Sequence, residues 1–299
     1  MNWEDAHLFL AVARSGQILN AANQLGISQA KLSRRVIALE ESLGLKLLIR
    51  RSQGCDLTED GEALFQSLER VEAEFIQTES LLSSQGTKLS GTVRIGAPDG
   101  FGAAFLAPRL GRFAGLYPEL KLQLAPVPRS FSLAKREADI AIMIGRPEKT
   151  GLMARKLADY SLGLYAAPSY LAMNPAPLTT SDLKQHQLID YVEDLIYSPL
   201  LDYSREIWRG WQANIEITSA LAQAEAVRGG AGIGILHDYI AAKDSGLVRV
   251  LPDESVIRTY WLVYHESLRD IPRVRAALDF LIDIVKENDE GFVLSSRES

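Results

Sequence analysis

The chain has 299 residues, 47% of them hydrophobic, which is enough for two or three compact domains. A single cysteine excludes an internal disulfide, and no metal-ligand spacing is found among His7, His186, His237 and His265, so we expect neither a metal nor another cofactor. No apolar run approaches the roughly 20 residues of a membrane span, which predicts a cytoplasmic protein without membrane contact. The net charge is −6, yet residues 1–58 hold seven Lys or Arg against five Asp or Glu. The amino-terminal segment therefore carries a net charge of +2, and the remaining 25 Lys or Arg against 33 Asp or Glu give −8 for the rest of the chain.

Residues 20–37 have the pattern of a helix-turn-helix. Ala21 and Ala22 lie in a short helix, and their small side chains permit the close approach of a second helix. Gly26 interrupts the helical pattern. Ser28 is a suitable N-cap, because its hydroxyl can accept a hydrogen bond from a backbone amide of the next turn. A second helix is predicted to begin directly after it.

The second helix carries an apolar stripe and, opposite it, a polar and cationic face. The stripe is predicted to face the core and consists of Leu32, Val36, Leu39 and Leu43. Arg34 points away from the stripe, where a guanidinium can bond bidentately to guanine, and Lys31 and Arg35 are expected to contact phosphates. The predicted DNA contacts of this helix are Ser28, Gln29, Ala30, Lys31, Ser33, Arg34 and Arg35. A solvated charged face on a small helical bundle is the alternative.

The segment 45–58 predicts two short strands joined by a basic turn. Apolar residues lie on both sides of the run Arg50, Arg51, Ser52, Gln53 and Gly54. This pattern is typical of a wing, and it would place Arg50 and Arg51 beside the phosphate backbone. A cationic surface loop without a role in DNA binding is the alternative.

A series of motifs runs through residues 1–64 at fixed spacing: Ala-Ala, Ser-Gln before the second helix, Leu-Ser-Arg within it, Ala-Leu-Glu-Glu, Leu-Gly and Leu-Thr-x-x-Gly. In this order they resemble the winged helix-turn-helix of the LysR-type transcriptional regulators. The resemblance implies that the second helix binds double-stranded DNA. The chain departs from the family at Ala30, where proline is usual. Alanine favours helix, so the helix should persist.

Residues 59–85 predict one long helix, because neither proline nor glycine interrupts the segment after Gly61. Its apolar residues alternate spacings of four and three, which is typical of a two-stranded coiled coil. The predicted dimerisation residues are Leu64, Leu68, Val71, Phe75 and Leu82. In the resembled family this segment is the dimerisation linker helix, which implies a homodimer, and the same likeness favours a homotetramer. The alternative is that these residues pack within one chain, on the larger domain.

After a hinge at residues 87–91, strands alternate with helices, which predicts an open α/β sheet with parallel pairing. The predicted strands include TVRIGA, LKLQLAPV and ADIAIMIG, and a helix is predicted for AAFLAPRLGRFAGLY. A glycine cluster is formed by Gly229, Gly230, Gly232 and Gly234. It does not match a dinucleotide site, because a predicted helix precedes the glycines and the strand IGIL follows them. We interpret the cluster as a helix end and a tight turn.

Weaker motifs extend the likeness over the rest of the chain: RIGAPDGFG, ADIAIMIGRP and AEAVRGGAGIGIL. This part resembles the effector domain of the same family, which implies an α/β fold of two lobes, similar to periplasmic solute-binding proteins. The expected organisation is a winged helix-turn-helix at 1–58, a linker helix at 59–86, the hinge at 87–91 and an effector domain at 92–299. Lobe I is expected at about 92–166 and 265–290, and lobe II at about 167–264.

The resemblance implies a small-molecule site between the lobes, against the loop after the first strand. The expected effector contacts are Asp99, Gly100, Phe101, Arg129, Ser130, Arg146, Tyr197 and Thr218. An anionic effector is one candidate, with Arg129, Ser130 and Arg146 as its contacts. Members of the family often carry serine or threonine in place of Gly100, and Asp99 adds a negative charge. A simple carboxylate held in the usual way is therefore not expected.

Two classes of function are consistent with these patterns. The first is a sequence-specific DNA-binding transcriptional regulator whose activity is modulated by a small-molecule effector bound between two α/β lobes. The second is a solute-binding or enzymatic α/β domain with an appended DNA-binding module. The chain has neither a Gly-x-Ser-x-Gly motif nor a placed His-acid pair, so we expect no enzyme and no catalytic residues.

Overall fold

The computed structural model describes residues 1–51, 54–83, 89–127, 133, 137–147, 151–288 and 291–293, except for the side chains of residues 73, 76, 77 and 79–83. The chain forms two compact units, one built mainly from residues 1–89 and the other mainly from residues 90–299. We call the first unit the head and the second the α/β domain.

The head begins with a helix-turn-helix, as predicted. Its first helices are α1 (Trp3–Ser15), α2 (Ile18–Leu25) and α3 (Gln29–Leu43). Gly26, directly after α2, has a φ of 66°, a left-handed conformation that glycine adopts without steric cost. Ser28 caps α3, since its Oγ accepts a hydrogen bond from the Lys31 amide at 3.3 Å. The turn and the start of the second helix therefore lie where the sequence predicts them.

The core of the head is formed where α1, α2 and α3 cross. Leu32, Val36 and Leu39 of α3 are at most 1% exposed, which confirms the predicted stripe. Ala21 and Ala22 of α2 are equally buried in the same cluster. Small side chains on α2 allow the helix axes to approach, so the apolar pattern of the sequence determines this packing.

A hairpin follows α3 and forms the predicted wing. Strand β1 (Leu48–Arg51) pairs antiparallel with β2 (Gly54–Leu57), and residues 52–53 between them lie outside the described part of the chain. Gly54 has a φ of 154°, and a Cβ at this position would lie 2.6 Å from the Gly16 carbonyl oxygen. The Cys55 amide donates to the same oxygen at 2.8 Å. A glycine is therefore required where the hairpin meets the turn after α1.

The head ends with the long helix α4 (Glu59–Ser83). Thr58 caps it, because Thr58 Oγ1 accepts a hydrogen bond from the Gly61 amide at 2.9 Å. A Cβ at Gly61 would lie 2.1 Å from the Leu47 carbonyl oxygen, so this turn packs directly on the backbone before the hairpin. The predicted long helix is confirmed through Ser83, and residues 84–85 lie outside the described residues.

The α/β domain is built on one mixed sheet. Its strands are β3 (Gly91–Ala97), β4 (Leu120–Pro126), β5 (Ile140–Ile144), β6 (Leu152–Ala166), β7 (Leu188–Asp190), β8 (Ile215–Glu216), β9 (Ile233–His237) and β10 (Val248–His265). Among the described residues their order is β4-β3-β5-β10-β6-β9-β7-β8. The predicted parallel pairing joins β3 to β4 and β5, and β7 to β8 and β9. The long strands β6 and β10 are antiparallel to their neighbours.

Strands β6 and β10 connect two halves of the sheet, which confirms the predicted two-lobed fold. We call β3, β4 and β5 with their helices lobe I, and β7, β8 and β9 with their helices lobe II. Lobe I contains a π-helical turn (Gly100–Leu106), a 3-10 turn (Ala107–Arg109), α5 (Leu110–Leu116) and α10 (Pro272–Lys286). Lobe II contains α6 (Pro168–Leu171), α7 (Ser204–Ile207), α8 (Ala220–Arg228) and α9 (Asp238–Ala241).

Two local predictions in the α/β domain have different outcomes. The single helix predicted for AAFLAPRLGRFAGLY is instead three consecutive helical segments of different type. Pro108 has no amide hydrogen and interrupts the helical hydrogen bonds. The glycine cluster lies between the end of α8 and the start of β9, as predicted. A Cβ at Gly232, whose φ is 152°, would lie 2.3 Å from the Gln187 carbonyl oxygen. These glycines therefore form a tight turn.

A buried charge network lies where the connecting strands meet α9. Asp238 is fully buried and accepts hydrogen bonds from Ser161 Oγ at 2.5 Å, Tyr165 Oη at 2.6 Å and Arg249 Nη1 at 3.0 Å. A Cβ at Gly163 would lie 2.8 Å from Arg249 Cζ and 2.9 Å from Asp238 Oδ1. The absence of a side chain at Gly163 provides the space for this ion pair.

Among the described residues, no helix combines the length and the apolar character needed to span a bilayer.

Candidate functional site

The amino-terminal end of α3 presents an exposed polar and cationic face. Gln29, Ala30, Lys31 and Arg34 are exposed on it. Arg34 Nε donates to the Ala30 carbonyl at 3.4 Å, so the side chain lies along its own helix at the start of the face. Ser28, the cap of α3, is also exposed. Polar and guanidinium groups near the start of a recognition helix suit contact with base edges and phosphates.

Arg35 is engaged within the head. Its Nε lies 2.5 Å from Asp5 Oδ1 and its Nη2 lies 2.9 Å from Glu4 Oε2. Hydrogen bonds to these carboxylates raise the pKa of the Arg35 guanidinium. The guanidinium of Arg35, which was predicted to contact a phosphate, therefore joins α3 to α1 in the described structure. The sequence pattern missed this because the partners lie thirty residues earlier in the chain.

The hairpin adds two exposed arginines to the cationic face. Arg50 Nη2 donates to Ser33 Oγ of α3 at 3.1 Å, so the Ser33 hydroxyl connects the recognition helix to β1. Arg51 forms an exposed ion pair with Asp56 on the paired strand. Arg50 is therefore held against α3, and Arg51 is held against the paired strand of the hairpin.

A concave surface with a volume of about 500 Å³ lies between α2, α3 and the hairpin. It is lined by Gln17, Ile18, Leu19, Gln29, Arg50, Arg51 and Gly54. Three predicted DNA contacts, Gln29, Arg50 and Arg51, are brought together there. The sequence analysis missed Gln17 and Leu19 at the start of α2. The sequence feature that indicates this surface is Leu19, an apolar residue that does not belong to the buried face of α2. In the structure it is 52% exposed.

Glu40 fixes the hairpin to α3. Its carboxylate is 6% exposed and accepts hydrogen bonds from the Leu47 and Leu48 amides at 2.8 and 3.2 Å. Lys46 Nζ lies 3.2 Å from its other oxygen. Burial opposes ionisation of this carboxyl, but the two amides and Lys46 together lower the pKa of Glu40. The ionised carboxylate therefore holds the strand that carries the wing arginines.

The predicted dimerisation residues of α4 form a buried group and an exposed group. Leu68 is 4% exposed in the core of the head, and Leu64 packs partly buried against the same core. We therefore correct their assignment to a free dimerisation seam: α4 uses them to close the head. Val71 and Phe75, one and two turns further on, are 45% and 52% exposed. The side chain of Leu82 lies outside the described residues.

A second candidate site lies where lobe I meets lobe II. Asp99 follows β3 of lobe I and is 8% exposed. Its Oδ2 accepts a hydrogen bond from Ser219 Oγ at 2.6 Å and one from the Leu221 amide at 3.4 Å. Ser219 is also the N-cap of α8 in lobe II. The Asp99 carboxylate therefore occupies the N-terminus of α8, where unpaired amides favour an anion.

Aromatic side chains and an imidazole lie near enough to this carboxylate to be affected by its charge. Burial, together with the charge of Asp99, raises the pKa of Tyr197 and of Tyr239. Burial lowers the pKa of His237 to about 4 despite the nearby carboxylate, so the imidazole is neutral at pH 7. Tyr239 Oη lies 3.1 Å from Tyr260 Oη. We define the Asp99 site as Asp99, Gly100, Tyr197, Ser219, His237 and Tyr239.

Three of the predicted effector contacts meet in the Asp99 site, namely Asp99, Gly100 and Tyr197. Gly100 faces lobe II, because a Cβ there would lie 3.3 Å from His237 Cε1 and 3.4 Å from Tyr239 Oη. Thr218, also predicted, is half-buried and directly precedes the cap of α8. The departure from the family at Gly100 therefore coincides with aromatic groups that fill the adjacent space.

Phe101, predicted as an effector contact in the loop after the first strand, lies instead in the core of the lobe. Its side chain is fully buried and packs on the rings of Phe105 and Tyr260, with centroids 5.1 and 5.0 Å away. The π-helical turn begins directly after Asp99, so Phe101 lies inside a helical turn whose apolar side faces the core. Phe101 stabilises the lobe.

The cationic residues expected to bind an anion have no described contact with Asp99 or lie outside the described residues. Arg146 is exposed, and its guanidinium lies 5.6 Å from the ring centroid of Trp261. Arg129 and Ser130 lie outside the described residues. The contacts of the Asp99 carboxylate that the structure does describe are a hydroxyl and a backbone amide.

The sequence analysis missed Ser219, His237 and Tyr239. His237 and Tyr239 were signalled by their position, since they come at and directly after the carboxyl end of β9. The carboxyl ends of strands are where open α/β sheets bind ligands. From the sequence, Ser219 could be assigned only as a helix cap, because its partner Asp99 lies 120 positions earlier in the chain.

These features define the class of the protein: a transcriptional regulator in which a winged helix-turn-helix precedes a two-lobed α/β domain. Comparison with family models agrees in both parts. Residues 3–62 match the bacterial regulatory helix-turn-helix protein of the lysR family, and residues 86–285 match the LysR substrate binding domain. The chain belongs to the LysR family of DNA-binding transcriptional regulators.

Relatives share this organisation along nearly their whole length. The chain is 29% identical to the transcriptional regulator CrgA of Neisseria meningitidis serogroup C, covering 96% of this chain and 98% of the relative. It is 30% identical to the regulator DmlR of Escherichia coli K12, covering 97% and 96%. The solved structure of CrgA from Neisseria meningitidis has a TM-score of 0.59 at 28% identity, covering 95% of this chain and 98% of that one.

Proposed function

We propose that the protein is a sequence-specific regulator whose DNA binding is modulated by a small-molecule effector at the Asp99 site. The observation that carries this proposal is the bridge between the lobes, in which Asp99 of lobe I accepts hydrogen bonds from Ser219 and Leu221 of lobe II. A ligand that competes with or reinforces this bridge would favour one lobe closure over another. The effector then shifts the population between two states of the regulator.

We propose that α3 enters the major groove of double-stranded DNA. Arg34 is assigned to a base edge because it is exposed at the start of α3 and a guanidinium recognises guanine bidentately. Three further cations are assigned to phosphates. Lys31 is exposed on α3, and Arg50 and Arg51 are exposed and line the concave surface beside it. Ser28, Gln29 and Ala30 complete the contact face.

We propose further that the regulator is a homodimer joined through α4, and that two dimers form a homotetramer. The exposed ring of Phe75 stacks on the ring of Trp3 from α1, with centroids 5.1 Å apart and an interplanar angle of 5°. Val71 extends this apolar patch along α4. A patch of exposed aromatic and aliphatic groups on one helix suits the same patch of a second copy.

The dimer is tested by sedimentation of the Phe75→Glu variant. A charge in the patch should shift the protein to a monomer and remove high-affinity DNA binding, while the α/β domain keeps its melting transition. Gln66→Glu, an exposed change on the same helix, is the matched control. A Phe75→Glu protein that sediments as the wild type would exclude this patch as the interface.

The regulatory function is tested by a gel-shift titration with the intergenic DNA beside the gene of this protein. Saturable binding that survives competitor DNA, and that weakens with salt, is expected. Candidate metabolites are then added at fixed DNA and protein concentrations. Equal affinity for the intergenic fragment and for scrambled DNA, with and without metabolites, would refute the proposal.

A further inference from the structure

The chemistry of the Asp99 site points to the class of its effector. The starting point is that a carboxylate already lies at the N-terminus of α8. Asp99 Oδ2 is bonded there by Ser219 Oγ and the Leu221 amide. A second anion at this helix end would have to displace Asp99 or lie beside it, and like charges in a buried site repel strongly.

The neighbouring side chains add no described positive charge to the site. His237 is 6% exposed, and its pKa of about 4 keeps the imidazole neutral. Tyr191, Tyr197 and Tyr239 are close enough to Asp99 for its charge, in addition to their burial, to raise the pKa of each phenol. The described groups near the carboxylate are therefore neutral hydroxyls, aromatic rings and an imidazole.

Relatives of this family often carry a serine or threonine hydroxyl at the position of Gly100, and the geometry at Gly100 disfavours such a side chain here. A Cβ at this position would be in contact with His237, Tyr239 and Ala220, at 3.3 to 3.5 Å. The space next to the glycine is thus occupied by an imidazole, a phenol and a methyl group. A serine or threonine hydroxyl at residue 100 would have to push these groups aside.

A buried carboxylate among tyrosine rings is, in contrast, suited to a cation. Buried charges are stable when they are paired, and an ammonium group gains both from a carboxylate and from the π-faces of tyrosines. A carboxylate accepts about four hydrogen bonds, and both described bonds to Asp99 reach the same oxygen, Oδ2. Asp99 can therefore accept an ammonium donor while it stays bonded to α8.

We propose that the Asp99 site selects a small organic cation: an amine with an apolar or aromatic body, its ammonium on Asp99 and its body against Tyr197 and Tyr239. This inference rests on the proposed function, because it names the effector class for the site that modulates DNA binding. The ammonium would bind the carboxylate of lobe I that already accepts hydrogen bonds from lobe II.

The test compares matched amines and carboxylates on the full-length protein. Tyramine and benzylamine are titrated against 4-hydroxyphenylacetate and benzoate, with melting temperature and calorimetric heat as readouts. The amines should raise the melting temperature and bind saturably, and the carboxylates should do neither. Stronger stabilisation by the carboxylates, or no stabilisation by either amine, would overturn the proposal.

Variants of Asp99 and Tyr197 test whether these side chains bind the amine. Asp99→Asn keeps an oxygen acceptor for Ser219 and Leu221 but loses the charge, so amine affinity should fall by roughly tenfold or more. Asp279→Asn, an exposed carboxylate on α10, should bind amines as the wild type does. Tyr197→Phe should retain amine binding, whereas Tyr197→Leu should weaken it. Unchanged amine affinity in Asp99→Asn would exclude the site.

A gel shift on the same samples separates this inference from the proposed function. If a carboxylate alters DNA affinity and the amines do not, effector modulation stands and the cation assignment falls. If amines bind through Asp99 but no compound alters DNA affinity, the cation site stands and effector modulation falls.

Discussion

The candidate sites of the head and of the α/β domain hold their charges in different ways. The cationic face of the head places Arg34, Arg50 and Arg51 at the surface. In the α/β domain, the carboxylates that join distant elements are buried, and Asp99 and Asp238 are 8% and 0% exposed. Exposed charges act over a Debye length and respond to salt, whereas buried charges act on the groups in contact with them. The head is therefore suited to a polyanion, and the α/β domain to discrimination among small molecules.

The largest effect is expected where a buried charge is removed. Asp238→Ala leaves Arg249 without the carboxylate that it contacts at 3.0 Å and leaves two hydroxyls without their acceptor. Loss of one partner of a buried ion pair should lower the free energy of unfolding of the α/β domain by about 3–5 kcal/mol. Chemical denaturation measures this change. Asp253→Ala, at an exposed position, is the control. Equal stability of the two variants would show that the buried carboxylate contributes no more than an exposed one.

The burial of His237 predicts a pH dependence of stability. Its folded pKa of about 4 lies below the ordinary value of 6.5, so the unfolded chain binds this proton first as the pH falls. The free energy of unfolding should therefore decrease by about 2 kcal/mol from this group between pH 7 and pH 5. His237→Gln should flatten the slope, and the control His7→Gln, at an exposed position of α1, should not. Parallel slopes in all three proteins would show that His237 is not the titrating group.

On the exposed surface, Arg34→Ala tests base recognition. The variant should bind its operator about 1–3 kcal/mol more weakly and lose preference at one base position, because one guanidinium no longer reaches a base edge. Selection from a randomised operator library measures this. Arg35→Ala is the informative control, since Arg35 is held by Glu4 and Asp5 and should affect the stability of the head without changing base preference. An unaltered base preference in the Arg34→Ala variant would show that Arg34 does not contact a base edge.

The smallest effect is expected for a single phosphate contact. Lys31→Ala should weaken binding uniformly across DNA sequences and reduce the slope of log affinity against log salt by about 1. Lys156→Ala, on β6 of the α/β domain, removes the same charge far along the chain and should leave the slope unchanged. Equal slopes for the two variants would mean that Lys31 does not neutralise a phosphate.

The same contrast explains which assignments needed the structure. In the head, the groups predicted to act together lie close in the sequence, so helical periodicity places Leu32 inside and Arg34 outside. The ion pairs of Arg35 and the burial of Leu68 were not predicted, because their partners come from α1 and from the core of the head, tens of residues away. Periodicity describes one helix and contains no information on what the neighbouring helix presents.

The Asp99 site shows this limit most clearly. Asp99 and Gly100 were predicted from the loop after the first strand, but their neighbours Ser219, His237 and Tyr239 come from more than 100 positions later. Phe101, adjacent in sequence, is directed into the core by the π-helical turn.

The order of most helices and strands, the family likeness and the exposed polar face of α3 were determined by the amino-acid sequence, because caps, glycines and apolar spacing act over a few residues. The bridge between the lobes, the neutral His237 and the closure of the head by Leu68 were decided by tertiary structure. These features depend on which distant side chains share a buried space, and desolvation and hydrogen bonding take effect only when the chain has folded.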